Sequence, residues 1–301
     1  MTDFDKDQLD KIRKLIIIAM FSASDTFMNL FALKGGNALN YIYSMDERSS
    51  IDIDISMENS FEDLGMPLEE VEETLRTSFE RTFEENGFKA FDIKLEKRPP
   101  ILSKDKEVFW GGYLLTFKVL EYDKWAKFNQ NPRKDIEDMR RQAIPFTPDF
   151  KRKFSVDISR HEYCEDKKLE ILDDYAIYVY TPKMIILEKL RAICQQTKEY
   201  MNVIESHQRR ARAQDFFDIY IIMKHQPEID LTTPESITTL KEIFKIKKVP
   251  LEILKQIEDY REFHRESFRA VEDTVSSTDI KSYDFYFDYV LSVIDDILKA
   301  L

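Results

Sequence analysis

The chain has 301 residues, of which 43% are hydrophobic, so it is long enough to bury one large core or two modest ones. Its net charge of −12 and pI near 5.0 argue against a general nucleic-acid coat protein, although they leave room for a local basic groove. The chain has only two cysteines and an acidic N-terminus, which predict a cytoplasmic protein. It has no apolar run near the ~18 residues that span a bilayer, so we expect no membrane partner.

The predicted elements change in character along the chain, because all six glycines lie in the first 112 residues and helix formers dominate afterwards. In the first part, the patterns predict helices at residues 9–29, 38–42 and 68–85, and strands at 30–33, 51–55, 88–95 and 108–119 with a bulge at its two glycines. Later, they predict strands at 154–158 and 176–180 and helices at 184–196, 208–224, 235–244, 251–264 and 282–301. This order predicts an α+β fold, with a mixed-sheet domain over residues 1–181 and a helical domain over residues 182–301.

A glycine pair and a carboxylate pair stand close together in the chain. Gly35 and Gly36 follow the strand at residues 30–33 and let the backbone turn sharply, which leaves room for an anion against bare N–H groups. Asp52 and Asp54 lie two apart on the next strand, so they point to the same face and repel each other unless a cation lies between them. This pairing is what a divalent-metal phosphoryl-transfer site needs.

The carboxylate pair also has a simpler interpretation. An isolated Asp-x-Asp is more often a solvent-facing part of an edge strand, where charge protects against aggregation. The glycine turn upstream favours a site instead, because it adds an anion-binding backbone to a metal-binding pair. Arg48 and Ser50, just before the carboxylates, are available to contact phosphate.

Three ordered motifs carry a resemblance to a known family. The first is Leu-Lys-Gly-Gly-x-Ala-Leu followed by Arg-x-Ser-x-Asp-Ile-Asp, the second is Glu-Lys-Leu-Arg-Ala at residues 188–192, and the third is Arg-Ala-Gln-Asp-Phe-Phe-Asp at residues 212–218. Together they resemble the AbiEii/AbiGii-type nucleotidyltransferase toxins of the DNA polymerase β-like superfamily. Residues beyond 222 match no motif.

The resemblance implies a nucleotidyltransferase-fold N-terminal domain, a helical C-terminal domain and transfer of a nucleotidyl group from an NTP bound between them. It implies that Asp52 and Asp54 hold one or two Mg²⁺ ions, and that a third carboxylate on a neighbouring strand completes the second metal and activates the acceptor hydroxyl. Asp157, on the predicted strand at 154–158, is the candidate for this role, with a plain surface charge as an equal alternative.

The later motifs supply further implied residues. Lys189 would contact the triphosphate, and Asp215 would orient Lys189 or position the base. Without the resemblance, Lys189 and Arg191 would be interpreted as the solvated face of a helix. The implied nucleotide-binding set is Gly35, Gly36, Asn37, Arg48, Ser50, Lys189 and Asp215.

Two positions depart from the family pattern. Asn37 stands where such proteins usually carry serine or threonine, and its amide can still donate to a phosphate, with a longer and differently aimed contact. Gln214 replaces the usual lysine beside Asp215, which removes one positive charge from the site.

The stretch at residues 124–153 is basic and aromatic in an otherwise acidic chain. A solvated helix and loop is the default interpretation of such a charge run. Concentrated Lys and Arg with Trp125 and Phe128 also suit a groove for an RNA backbone and unstacked bases.

As a whole, the resemblance implies the toxin of a bacterial toxin–antitoxin or abortive-infection (phage-defence) pair, with a cognate protein antitoxin. The acceptor it favours is an RNA 3′-hydroxyl, preferably that of tRNA, and the outcome it favours is blocked translation. Two alternatives stay open: a protein-modifying nucleotidyltransferase or NTP phosphotransferase that uses the same carboxylates, and a non-catalytic NTP-binding module. The motifs do not select among the NTPs, because base selection depends on pocket shape.

Overall fold

A computed structural model of the chain describes residues 6–45, 47, 52–128, 132–147, 150–204, 208–275 and 280–301. Its strands are β1 (Ala32–Lys34), β2 (Ile53–Ser56), β3 (Phe88–Arg98), β4 (Gly112–Glu121), β5 (Phe154–Ser159), β6 (Lys168–Leu172) and β7 (Tyr175–Val179). In these ranges they form one seven-stranded sheet in the order β3-β4-β5-β2-β1-β7-β6. The β2–β5 and β1–β7 pairs are parallel and the other neighbours are antiparallel, so the sheet is mixed as predicted.

Helices precede, interrupt and follow the sheet. They are α1 (Lys6–Phe21), α2 (Asp25–Leu30), α3 (Gly35–Tyr41), α4 (Leu68–Glu85), α5 (Lys104–Glu107), α6 (Tyr122–Ala126), α7 (Pro132–Gln142), α8 (Pro182–Cys194), α9 (Ala213–His225), α10 (Pro234–Ile246), α11 (Arg261–Arg265), α12 (Phe268–Glu272) and α13 (Tyr283–Ala300), with 3₁₀ segments at Glu199–Asn202 and Leu251–Tyr260. None of the helices in the described ranges has the length and hydropathy needed to cross a bilayer.

Helix α4 shows how the pattern of apolar residues builds the core. Val71, Leu75, Phe79 and Phe83 recur every four residues and are all buried, because this spacing keeps them on one face of a helix. That face packs against β3 and α1, and each phenylalanine buried there contributes roughly 2 kcal/mol. The bounds of α4 are those predicted, since Pro67 precedes its first residue and Asn86 is its C-cap.

The single helix predicted at residues 9–29 is wrong, because the structure divides it into α1 and α2. Ser24 is the N-cap of α2, where its hydroxyl accepts a hydrogen bond from the Phe27 N–H at 3.4 Å. A serine that caps a helix competes with the helical backbone around it, so the chain breaks there even though the apolar spacing continues.

The bulge predicted at the Gly111–Gly112 pair is also misplaced. The strand begins only at Gly112, and Gly111 lies before it with a φ of +101°. The irregularity falls on the partner strand β3, between Phe91 and Lys94, where Asp92 has a φ of +52°. Gly112 is required for a different reason: a Cβ there would lie 2.1 Å from the Ile158 carbonyl oxygen.

Two further differences concern the second half of the chain. Strand β6 was not predicted, because it is short and carries charges, with Leu169 and Ile171 exposed to solvent. The helix predicted at 251–264 is a 3₁₀ segment, Leu251–Tyr260, followed by α11.

The predicted domain boundary near residue 181 falls between the end of β7 and the start of α8. Thr181 caps α8 by accepting a hydrogen bond from the Met184 N–H. The buried residues on both sides of this point belong to one continuous hydrophobic cluster. The division into residues 1–181 and 182–301 therefore stays a prediction.

Candidate active site

Three aspartates lie near one another at one face of the sheet. Strands β2 and β5 run parallel with Asp54 opposite Asp157, and Asp52 lies two residues before Asp54. Asp54 and Asp157 are paired residues, so their side chains share a face of the sheet. Asp52 precedes the first residue of β2, and its charge interacts with those of Asp54 and Asp157. The alternating Ile53 and Ile55 are buried on the other side and anchor β2 in the core.

The pKa values of Asp52 and Asp54 are raised, because these carboxyls are partly shielded from water and negative charges are concentrated here. Burial raises the pKa of Asp54 to about 7, with Asp157, Glu188 and Asp52 acting in the same direction and Lys34 opposing them. Burial and Asp157 also raise the pKa of Asp52. Such carboxyls resist ionisation until a cation joins them, so this face of the sheet is suited to bind one.

Gly35 lies directly against the carboxylates. It has a φ of +69°, and a Cβ at this position would lie 2.9 Å from Asp54 Oδ2. Helix α3 begins at Gly35, so the N–H groups of Gly35 and Gly36 belong to its first turn, where the helix itself provides no acceptor. The glycine pair thus brings backbone donors close to the carboxylate oxygens.

Replacing Gly35 tests this close approach. We expect Gly35→Ala to lower the free energy of unfolding by roughly 2–4 kcal/mol, because the new Cβ adds a steric clash to the cost of a positive φ. Gly65→Ala is the matched control: Gly65 has a φ of +68°, and a Cβ added there would meet no heavy atom within 4 Å. Urea unfolding of both variants measures the difference, and an equal loss in the two would show that the approach to Asp54 has no energetic consequence.

Asn37, predicted to donate to a phosphate, makes a different contact. Its Nδ2 donates to the backbone carbonyl oxygen of Asp52 at 2.6 Å, and the residue is almost fully buried. It therefore fixes the start of β2 and the position of the first carboxylate. Its phosphate contact stays a prediction, and Arg48 and Ser50 lie outside the described residues.

Lys34 stands opposite Asp54 across the β1–β2 pair and was missed by the sequence analysis. Its Nζ lies 3.4 Å from Glu188 Oε1 and 3.8 Å from Glu162 Oε1, and all three side chains are largely buried. Burial lowers the pKa of Lys34, but Glu188 and Glu162 outweigh it and the net shift is upward. Lys34 thus stays charged and joins the sheet to α8.

Arg191 and Lys247 complete this buried network. Arg191 Nη2 lies 2.7 Å from Glu188 Oε1 and 3.4 Å from Glu162 Oε2, and Lys247 Nζ lies 3.2 Å from Glu162 Oε1. Arg191 is only 4% exposed, so it is not on the solvated face of α8. Burial opposes the ionisation of Glu162, but Arg191, Lys247 and Lys34 lower its pKa to about 2.

Lys189 and Asp215 contact each other, together with a third residue that was not predicted. Lys189 Nζ lies 2.8 Å from Asp215 Oδ1 and 2.7 Å from Asp218 Oδ2, and none of the three residues is more than 6% exposed. Arg212 also pairs with Asp215. Burial raises the pKa of Asp215, but Arg212 and Lys189 outweigh it and lower the pKa to about 2. Asp215 and Asp218 are three residues apart on α9, so they are neighbours on one helix face, and this spacing was the signal that could have identified Asp218.

His264 is fully buried and contacts the backbone of Arg212. Its Nδ1 accepts a hydrogen bond from the Arg212 N–H at 3.1 Å, so the neutral ring carries its proton on Nε2. Burial lowers the pKa of His264 to about 4; Asp215 opposes this shift, and Arg212 and Arg209 add to it.

Because the pKa of His264 is lowered in the folded protein, we expect the fold to lose stability in acid. Between the unfolded pKa of 6.5 and the folded pKa of about 4, the unfolded chain binds more protons at this position, so stability falls as the pH falls through that window. The loss attributable to His264 is up to about 3 kcal/mol. Urea unfolding at pH 7.5 and pH 4.5 measures it. His264→Asn, whose amide oxygen can replace Nδ1 as acceptor, should flatten this slope, and an unchanged slope would contradict the assignment.

A family model decides the identity of the chain. The model of the nucleotidyl transferase AbiEii toxins of type IV toxin–antitoxin systems matches residues 18–289. The chain belongs to the AbiEii family. It is therefore a nucleotidyltransferase and a toxin of that class, which implies an NTP substrate and an antitoxin partner.

The solved structures to which the chain is similar are distant in sequence. A protein described as a candidate nucleotidyltransferase from H. pylori is 14% identical and covers 97% of this chain and 95% of its own, with a TM-score of 0.48. JHP933 from Helicobacter pylori is 14% identical and covers 97% and 92%, with a TM-score of 0.46. An antigenic nucleotidyltransferase-like protein from Paracoccidioides brasiliensis is 13% identical and covers 83% and 93%, with a TM-score of 0.36. No curated protein matches the chain.

Asp52, Asp54 and Asp157 provide carboxylate oxygens, which are the ligands that a hard divalent cation prefers. Within the described residues, however, no three potential ligands converge as they stand. Asp157 Oδ1 accepts a hydrogen bond from Arg98 Nη1 at 2.6 Å. The three carboxylates are thus chemically suited to bind a divalent metal ion, while Asp157 is paired with Arg98 in this structure.

The basic and aromatic stretch at residues 124–153 is only in part a free surface. Trp125 and Phe128 are half-buried and pack against a small cluster of Phe91, Leu120, Met139 and Ala143. Arg140 pairs with Asp92 and Glu137. The two aromatic rings therefore support the sheet in this structure, and their predicted role in stacking RNA bases has no support from their packing.

Proposed function

We propose that this AbiEii nucleotidyltransferase uses Mg²⁺ to transfer nucleotides from an NTP to an RNA 3′-hydroxyl, with the tRNA 3′ end as the preferred acceptor. The consequence would be blocked translation in the cytoplasm, as the toxin arm of a phage-defence pair. The observation that carries the proposal is the juxtaposition of Asp52, Asp54 and Asp157 beside the Gly35 turn.

Each side chain has a role that follows from its position. Asp52 and Asp54 would hold the divalent ion, and Asp157 would join them and accept the proton of the acceptor hydroxyl. When bound, Mg²⁺ supplies charge neutralisation of the triphosphate. Gly35 leaves room for the Asp54 carboxylate beside the first turn of α3, because a Cβ there would lie 2.9 Å from Asp54 Oδ2, and the N–H groups of that turn would bind the phosphates.

The buried ion pairs would hold this face in shape during the reaction. Lys34 fixes the distance between β1 and α8 through Glu188. Lys189 and Asp215 belong to the adjacent helices α8 and α9, and a shift of Lys189 from its aspartates toward the triphosphate would add a cation there. The proposed contact of Lys189 with the triphosphate therefore depends on reversible pairing of Lys189 with Asp215.

The acceptor can be identified with labelled nucleotides. We expect purified protein with Mg²⁺, α-labelled NTPs and total tRNA to place label on RNA, and to place none on tRNA whose terminal 2′,3′-diol has been oxidised with periodate. Label on protein would favour the alternative protein-modifying activity. Four separate reactions, one for each NTP, give the base preference.

A further inference from the structure

Asp157, the third carboxylate, is engaged by a side chain from two strands away. Arg98 Nη1 lies 2.6 Å from Asp157 Oδ1, and the two side chains are 48% and 39% exposed. Arg98 is the last residue of β3, and β4 lies between β3 and β5 in the sheet. The contact is therefore long-range and does not follow from the local course of the chain.

The register of the sheet explains how Arg98 reaches Asp157. Arg98 is paired with Gly112 and Asp157 with Leu114, so all four positions lie on one face. Gly112 offers no side chain there, and a Cβ at this position would lie 2.1 Å from the Ile158 carbonyl oxygen. The arginine can therefore cross β4 at a position that only glycine can occupy.

The guanidinium lies where positive charge is needed. Asp157 shares its face with Asp54, and its charge also interacts with that of Asp52. A guanidinium can neutralise one carboxylate of such a group while it occupies an oxygen that a metal would use. An ion pair with this degree of exposure is weak, because water and salt screen its charges. A divalent ion can therefore replace it at little cost.

Resting on the proposed function, we propose that Arg98 is a positioning residue of the metal centre. It holds Asp157 in the metal-free enzyme and leaves Asp157 when a divalent ion binds. The Arg98–Asp157 pair thereby keeps the third carboxylate ordered and sets how much metal is needed to recruit it.

Mn²⁺ binding without nucleotide tests this role, because the spin-resonance signal of free Mn²⁺ disappears on binding. Arg98→Gln should bind Mn²⁺ about two- to fivefold more tightly than the wild type, the gain expected from removing a competitor worth up to about 1 kcal/mol. Arg98→Lys keeps the positive charge but lacks the planar guanidinium with its paired N–H donors. Its Mn²⁺ affinity should therefore lie between those of the wild type and Arg98→Gln. Arg98→Lys also serves as the deciding variant if Arg98→Gln does not fold.

Lys97→Gln is the matched control. Lys97 precedes Arg98 on β3 and pairs with Glu62 at 2.6 Å, with side-chain exposures of 41% and 39%. Its Mn²⁺ affinity should equal that of the wild type. Unchanged or weaker binding by the Arg98 variants, with the wild type binding normally, would overturn the role of Arg98 alone. Absence of Mn²⁺ binding by the wild type, or equal binding by Asp54→Asn, would overturn the metal site and this role together.

Discussion

Asp54→Asn is expected to slow nucleotidyl transfer by about a thousandfold or more, which corresponds to roughly 4 kcal/mol of lost transition-state stabilisation. Asp54 is paired with Asp157, and its charge also interacts with that of Asp52, so its loss removes the central ligand of the set. Initial rates of label transfer at saturating NTP and RNA measure the effect.

The fold should survive this change. Burial and neighbouring carboxyls already raise the pKa of Asp54 to about 7, so a neutral amide relieves repulsion in the metal-free protein and costs little stability. Asp296→Asn is the control, since Asp296 is exposed and pairs only with Lys299 among the contacts seen on α13. Full activity of Asp54→Asn, at normal folding, would remove Asp54 from the site.

Lys189→Met is expected to lower the free energy of unfolding by about 3–5 kcal/mol. The variant leaves Asp215 and Asp218 in the interior without the ammonium group that lies within 2.8 Å of both. Arg212 still pairs with Asp215 in this variant. Urea unfolding followed by circular dichroism gives the difference directly and needs no substrate.

Lys183→Met is the matched control on the same helix. Lys183 pairs with Glu235, whose side chain is 80% exposed, and the pair lies at the surface. Its loss should cost less than about 1 kcal/mol. Similar, small losses in both variants would mean that the Lys189 cluster adds nothing to stability.

The parts of the site that could be predicted are those encoded locally. The alternation of Asp54 with the buried Ile53 and Ile55 follows from the strand itself, and the glycine pair marks a turn whatever surrounds it. Asp52 lies just before this strand. The bounds of α4 were predictable for the same reason, since Pro67 and Asn86 mark its ends within the sequence itself.

The buried ion network could not be predicted, because charged residues are assigned to the surface by default. Glu162 follows β5 in a segment without periodicity, and its partners Lys34 and Arg191 come from β1 and α8. Only the folded sheet and helix bring them together. The same holds for Arg98, whose contact with Asp157 depends on the order of three strands.

The role of Trp125 and Phe128 was open to two interpretations for a related reason. Aromatic residues among lysines and arginines suit both RNA stacking and packing on a sheet, and composition cannot separate these. Of the residues that bury them, Leu120 lies just before them at the end of β4, but Phe91 lies on β3, distant in the sequence. The outcome therefore depended on the tertiary structure.

Single-turnover transfer by Asp52→Asn, Asp54→Asn, Asp157→Asn and the triple variant, with Mg²⁺ and with a chelator, tests most directly whether the three carboxylates form one metal-dependent centre. Residues that act as a unit are not additive, so the triple variant should be no slower than Asp54→Asn, and the wild type with chelator should be equally slow. Transfer that persists in the triple variant, or is unaffected by the chelator, would contradict a metal-dependent centre at Asp52, Asp54 and Asp157.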